Sequence, residues 1–276
     1  MPANENENRP LAGKSIAITR PEGQADAVME RLQSLGAHPI ATPTIAIVPP
    51  EDFTQLDAAI VQLPSYNWLL FTSVNGVEIF FARLSALGIG SDMLQHLNIG
   101  AIGPATAQAL AAHGVAATFM PTAYVAESIL AEIGDVAGQR MLLPRAELAR
   151  PLLAAGLRER GAQVDEIAAY RTVPGRGIAP LAALLRNGQV DAVTFTSSST
   201  VRFLCEGLIE SGMRPSDIPA LLARTAVVCI GPVTAKTASE AGIQVAIVAE
   251  SYTMDGLVAA LVDHFKRIAT VGSQAR

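Results

Sequence analysis

The chain has only two cysteines, Cys205 and Cys229, among its 276 residues. Two cannot build a disulfide framework or a four-sulfur zinc site. Histidine is almost as scarce. His38, His96, His113 and His264 are far apart, and none stands in HExxH or another ligand spacing, so metal chemistry has little to work with. Long apolar runs are missing as well. Residues 93–126 hold no Asp, Glu, Lys or Arg, but Gln95, His96, Asn98, Gly103, Pro104, Gln108 and His113 interrupt them, and no bilayer helix is expected. Nor is there an excess of basic charge. Twenty Lys and Arg against 25 Asp and Glu leave a net charge of −5, which argues against a nucleic-acid partner. The opening MPANENENRP has no apolar stretch and is not a secretory signal. Residues 1–11 read as a disordered tail, and so do residues 268–276. A reducing, cytoplasmic setting is expected.

What is present is apolar material in a regular order. Half of the residues are hydrophobic and 16% are charged, a balance that supports a packed core and excludes a disordered chain. The length suggests about two domains. Residues 15–19 (SIAIT), 68–72 (WLLFT) and 98–102 (NIGAI) read as buried strands. The apolar spacing predicts helices over 23–35, 75–87 and 104–112, with Gly36 and Gly114 as stops. Apolar strands alternating with helices predict an α/β fold, its parallel sheets covered on both faces and its connections right-handed.

The sequence also repeats itself. WLLFTS at 68–73 returns as AVTFTS at 192–197, and IGAIGPAT at 99–106 returns as VVCIGPVT at 227–234. IAITR at 16–20, a helical stretch and Gly36-Ala37 match MLLPR at 141–145, a helical stretch and Gly161-Ala162. Each of these leads into an extended arm, IATPTI at 40–45 or IAAYRT at 167–172, and the offset stays between 124 and 128 residues. The chain therefore reads as A-B-A′-B′. Two domains form as A+B with A′+B′, or as A+B′ with B+A′, and both pairings remain open at this level. The arms, 41–48 and 164–173, end at Pro49 and Pro174 and are strand-like enough to pair as a ladder.

The repeated Phe-Thr-Ser falls at the carboxyl end of a strand and opens a helix. Thr and Ser there are ordinary N-caps. A helix start also offers unpaired N–H groups and a positive dipole end to an anion, and ligands of open α/β sheets bind at this edge. Thr72, Ser73, Ser197 and Ser198 are the candidates. The same argument covers Gly103-Pro-Ala-Thr106 and Gly231-Pro-Val-Thr234, where glycine admits a close approach and proline suits the first helical position. Capping alone explains any one of these motifs; four in two related halves favour anion binding. Arg20 and Arg145 follow matching strands. Arginine is ordinarily solvated, but the repeat supports a carboxylate contact, with Arg150 and Arg171 weaker candidates. Tyr170 lies in the second arm. A strand tyrosine usually packs. Its phenol, protonated at neutral pH, can also donate a proton to a ligand held beside the arm.

Two familiar motifs fail on inspection. Gly13-Lys14-Ser15 ends like a P-loop, but position 8 is Asn and the triplet precedes its strand. Neither GxGxxG nor GxSxG occurs, so a dinucleotide site and an elbow serine are not expected.

Taken in order, the pieces resemble the uroporphyrinogen-III synthase family. They are Phe71-Thr-Ser73 with Gly76-Val77, Gly103-Pro-Ala-Thr106, Leu143-Pro-Arg145, the arm with Tyr170-Arg-Thr172, Phe195-Thr-Ser197, and Ile230-Gly-Pro-Val-Thr-Ala235 followed by Gly242. The resemblance runs from about residue 13 to 265. It implies the interleaved pairing: two flavodoxin-like domains with parallel sheets, joined by a two-stranded β-ladder. Domain 1 is then 12–41 with 175–267, the linker strands are 42–49 and 164–174, and domain 2 is 50–163.

The resemblance also implies a cofactor-free, metal-free lyase of tetrapyrrole and heme biosynthesis. Linear hydroxymethylbilane loses water and closes to uroporphyrinogen III, with its last pyrrole ring inverted. Tyr170 is then the catalytic proton donor. Arg20, Thr72, Ser73, Gly103, Thr106, Arg145, Ser197, Ser198, Gly231 and Thr234 are the substrate contacts. The implied partners are the substrate and, transiently, the preceding enzyme of the pathway; a monomer is expected, with neither nucleic acid nor membrane. An acidic chain does not attract a substrate of eight carboxylates by its overall field, so local donors must hold it. The two copies differ after the serine, Val74-Asn75-Gly76 against Ser198-Ser199-Thr200, and are not expected to contact ligand equally. The competing reading is a non-catalytic two-domain binding protein for a small anionic metabolite, which needs no tyrosine in its arm.

Overall fold

The computed structural model describes residues 9–274. In chain order the elements are β1 (Ser15–Ile18), α1 (Asp26–Ser34), β2 (His38–Ala41), β3 (Ile45–Val48), α2 (Thr54–Val61), β4 (Trp68–Phe71), α3 (Val74–Ala86), β5 (Asn98–Ala101), α4 (Pro104–Ala112), α5 (Ala126–Glu132), β6 (Arg140–Ala146), α6 (Leu152–Glu159), β7 (Gln163–Pro174), α7 (Ile178–Arg186), β8 (Ala192–Phe195), α8 (Ser198–Glu210), α9 (Ile218–Leu222), β9 (Ala226–Cys229), α10 (Pro232–Glu240), β10 (Ile247–Val248) and α11 (Met254–Gln274). This is a mixed α/β chain with parallel sheets. It divides into two compact units: unit 1 holds the residues up to Ala46 and those from Val173 on, and unit 2 is Ile47–Thr172.

Unit 1 carries a sheet in the order β10-β9-β8-β1-β2, parallel where β1 meets β2 and β8, where β8 meets β9, and where β9 meets β10. Alternation along each strand sends side chains to opposite faces. Ile16 and Ile18 pack with Leu11, Leu32, Leu257 and Leu261 on one face. Ala17, Val193 and Phe195 pack with Leu181, Leu204 and Leu208 on the other. Both faces are covered by helices, which is why the strands are apolar throughout.

Unit 2 carries the order β3-β7-β6-β4-β5. Leu69, Phe71 and Leu142 face Phe80, Phe81 and Leu84. Leu70, Met141 and Leu143 face Ile129, Leu153 and Leu157. Each such side chain, fully buried, contributes about 1.5–3 kcal/mol. Counted outward from β8 or from β4, the two sheets follow one plan. Beyond β5, a single parallel bridge between Gly100 and Phe119 stands where β10 stands in unit 1.

Three expectations need correction. The first arm is not continuous over 41–48 but breaks between β2 and β3. Pro43 has no N–H to give a ladder, and the hydroxyls of Thr42 and Thr44 bond the carbonyls of Ile18 and Thr200 instead. The C-terminal stretch does not begin a tail at 268, because α11 continues to Gln274. Leu11 is fully buried, and its N–H donates to the Leu35 carbonyl at 3.0 Å, so the core starts before residue 12. The rest of the expected N-terminal tail, residues 1–8, lies outside the described residues.

Candidate functional site

One polar arrangement stands at the carboxyl edge of the sheet in unit 2. Beyond β4 come Thr72 and Ser73, both half-buried. Ser73 is the N-cap of α3, and its Oγ accepts the Gly76 N–H at 3.0 Å. The same Oγ lies 2.9 Å from the Tyr170 Oη, with either hydroxyl able to donate. Position 76 must be glycine for this fit, since a Cβ there would stand 2.9 Å from the Pro144 carbonyl oxygen.

Tyr170 reaches Ser73 because β7 breaks its own alternation. Ile167 and Ala169 lie on the face that holds Leu69 and Phe71. Strict alternation would send Tyr170 to the opposite face. Instead it packs with the same cluster, 7% exposed. The pairing explains how: Arg145 partners Ala168 and Ala146 partners Tyr170, so Ala169 is skipped. A bulge of this kind inserts one residue and re-aims the next side chain.

Burial raises the pKa of Tyr170 above its ordinary 10; the Ser73 hydrogen bond, the charge of Arg145 and a contact from Asn75 oppose the shift only in part. The phenol is therefore a neutral donor at physiological pH.

Arg145, at the end of β6, is 8% exposed rather than solvated. Its Nη1 donates to Glu166 Oε2 at 2.6 Å and its Nη2 to the Arg150 carbonyl at 3.0 Å. Its repeat partner in unit 1, Arg20, has weaker company. Nη1 reaches the Met254 sulfur at 2.7 Å, and Nη2 reaches Gln24 Oε1 at 3.4 Å. Burial lowers the Arg20 pKa. Among the described residues, the buried side-chain nitrogens left without a hydrogen-bond partner are the Nε atoms of these two arginines.

In unit 1, Ser197 caps α8 and forms a reciprocal pair with Thr200: its Oγ accepts the Thr200 N–H at 3.3 Å, and its N–H donates to Thr200 Oγ1 at 3.4 Å. Ser198 ties α8 to α10, accepting from Thr237 at 2.9 Å and donating to the Val233 carbonyl at 3.4 Å. Gly103 and Gly231 are the N-caps of α4 and α10; each is extended, is followed by proline and has no side-chain cap. Thr106 and Thr234 sit one turn in, but both are 4% exposed. Each is largely buried, yet neither hydroxyl is among the buried, unpartnered polar atoms.

The structure thus brings Ser73 to Tyr170, with Arg145 near enough for its charge to act on the phenol; Thr72, Gly103 and Thr106 lie in the same unit, and Arg20, Ser197, Ser198, Gly231 and Thr234 in unit 1. Asn75 and Glu166 were missed by the sequence reading. Asn75 carries a signal, as it replaces a serine of the second copy, but Glu166 is one acid among many. No group of three or more His, Cys, Asp or Glu is placed to hold a metal among the described residues. No described helix is long and apolar enough to cross a membrane. Cys229 is buried and its thiol is pushed up to about 12, which makes it inert packing.

The family model for uroporphyrinogen-III synthase HemD matches residues 26–259. The chain is 37% identical to the uroporphyrinogen-III synthase of Synechococcus elongatus over 257 residues, covering 92% of this chain and 96% of that one. It is 26% identical to that of Chlorobaculum parvum over 260 residues, covering 92% and 100%. Its fold is similar to a crystallised mutant uroporphyrinogen III synthase of Thermus thermophilus, at a TM-score of 0.67 and 24% identity, covering 94% of this chain and 99% of that one.

Proposed function

The chain belongs to the uroporphyrinogen-III synthase family, and we propose that Tyr170 is the proton donor of the reaction which that family performs. The reaction is the cyclising dehydration of hydroxymethylbilane to uroporphyrinogen III. The bilane closes unaided to the uninverted isomer, so the protein's task is to favour one geometry, and holding reactants in register is worth several kcal/mol. Tyr170 gives its proton to the departing hydroxyl, which leaves as water. The azafulvene cation that remains is attacked by the substituted carbon of the last ring. The spiro intermediate fragments and recloses, and the proton released on rearomatisation restores the phenol. The charge of Arg145, which already acts on the phenol, steadies the phenolate formed in between. What carries this reading is the 2.9 Å Tyr170–Ser73 pair on a phenol kept neutral by burial.

The substrate's carboxylates are met by helix starts and arginines. In unit 2 these are Thr72 and Ser73 at α3 and the backbone around Gly103 and Thr106 at α4. In unit 1 they are Ser197 and Ser198 at α8 and the backbone around Gly231 and Thr234 at α10. Arg20, whose partners are a thioether and a long amide contact, is free to exchange them for a carboxylate. Arg145 has only its Nε uncommitted. The strand order of both sheets supports flavodoxin-like domains: 11–41 with 175–274, and 50–163, joined by a ladder in which β3 is what remains of the first arm. The reading includes a cytoplasmic monomer that takes the labile bilane from the preceding enzyme.

The test is to supply hydroxymethylbilane, oxidise the products and separate the isomers. Enrichment of isomer III over the spontaneous isomer I is expected. Isomer I alone from well-folded protein would reject the assignment.

A further inference from the structure

Among the described residues, eleven large apolar side chains are left exposed, and six of them share one kind of place. Val74, Tyr124 and Leu148 in unit 2, and Val233, Val248 and Tyr252 in unit 1, lie at or just beyond the carboxyl ends of their strands. Two of them are repeat partners: Tyr124 and Tyr252 are 128 residues apart, the offset of the glycine-proline motifs. Each precedes the last helix of its half, α5 or α11. Each ring lies against the N-cap glycine of a helix. A Cβ on Gly103 would stand 3.1 Å from Tyr124 Cγ, and one on Gly231 would stand 3.4 Å from Tyr252 Cδ1. At Gly103 the missing Cβ makes room for the ring, whereas at Gly231 a Cβ would meet the ring at ordinary contact distance; the two tyrosines remain 37% and 44% exposed.

An exposed aromatic face maintained twice at the same place is a contact surface. The substrate class supplies its complement. Each pyrrole of hydroxymethylbilane is a flat ring with an apolar face and carboxylate arms. A helix start takes the arms but offers nothing to the ring, whereas a tyrosine face beside it does. We infer that Tyr124 and Tyr252 are substrate-positioning residues, each stacking on a pyrrole ring while the adjacent start of α4 or α10 holds that ring's carboxylates. The inference rests on the substrate assigned above. It adds the apolar half of recognition, which hydroxyls and arginines cannot provide.

The test compares Tyr124→Phe, Tyr124→Ala, Tyr252→Phe and Tyr252→Ala with the unaltered protein on hydroxymethylbilane, reading KM, kcat, the ratio of isomer III to isomer I, and the melting temperature. The Phe variants keep the ring, so KM and isomer ratio are expected to stay within about twofold. The Ala variants are expected to raise KM roughly three- to tenfold, the size of one stacking contact, and to release more isomer I at an unchanged melting temperature. Should an Ala variant fail to fold, Tyr→Leu keeps the bulk without the flat face and is expected to show the same KM defect. Unchanged KM and isomer ratio in the Ala or Leu variants would overturn the inference, as would Phe variants as impaired as Ala. If the unaltered protein itself yields only isomer I, the assigned reaction fails first and takes this inference with it.

Discussion

At the residue scale the proposed proton donor is Tyr170. General acid catalysis typically supplies about 10²–10⁴-fold, so Tyr170→Phe is expected to lower kcat at least about tenfold while far-UV circular dichroism stays unchanged; near-normal turnover would remove its role. Its pKa is raised above 10 by burial, which sets a sign for pH. The protonated donor persists past pH 10, so the alkaline limb of kcat should fall above that value and vanish in the Phe variant. Stability runs the same way: the native state keeps the proton longer than the unfolded chain, so this contribution is full below pH 10 and is lost as pH climbs through the folded pKa. The hydroxyls proposed to bind are a different case. Ser197→Ala is expected to cost about 1 kcal/mol as a lost cap and only a few-fold in KM, because the backbone N–H groups of α8 remain. The serines were singled out in the sequence by residue type and repeat, and the tyrosine by its place in the second arm and by the family resemblance. That Arg145 is occupied by Glu166 was not, because the partner is 21 residues away and chosen by strand register.

At the scale of elements, the duplicated parts have diverged around the proposed proton donor. Aligning the arms puts Pro43 opposite Tyr170 and Thr42 opposite Ala169. One arm breaks at its proline, and the other bulges and turns a tyrosine onto Ser73. The helix starts differ to match. Thr200 closes a reciprocal cap on Ser197, whereas Gly76 has no side chain and Ser73 bonds the phenol instead. Gly76→Ala should therefore be destabilising, since its Cβ meets backbone oxygen at 2.9 Å. A loss of about 1–3 kcal/mol is expected for such overpacking, visible as a lower melting temperature with a parallel loss of activity. The strands, helices and glycine stops themselves were readable from apolar spacing within a dozen residues. The break at Pro43 was also written there, as proline in a strand warns of one, but the extended neighbours masked it.

At the scale of the molecule, unit 2 is one continuous stretch, whereas unit 1 is assembled from both ends of the chain. A fragment of residues 47–172 contains β4 to β6, nearly all of β7, and both helical layers over them. It is expected to unfold cooperatively in denaturant and to form no isomer III, since it lacks Arg20 and the starts of α8 and α10. A fragment that cyclised to isomer III would show that unit 1 is dispensable. The sequence by itself determined the alternation of strand and helix, the fourfold A-B-A′-B′ order and the residue types at the strand ends, because burial period and caps are local. Only the tertiary structure decided that β1 and β2 join β8, β9 and β10 rather than β4 and β5. It alone placed Tyr170 on the face of Ser73. The reason is the same for both: apolar strands are chemically interchangeable as neighbours, and a one-residue slip in register reverses which side a residue faces. Contacts far apart in the chain must settle what local spacing leaves open.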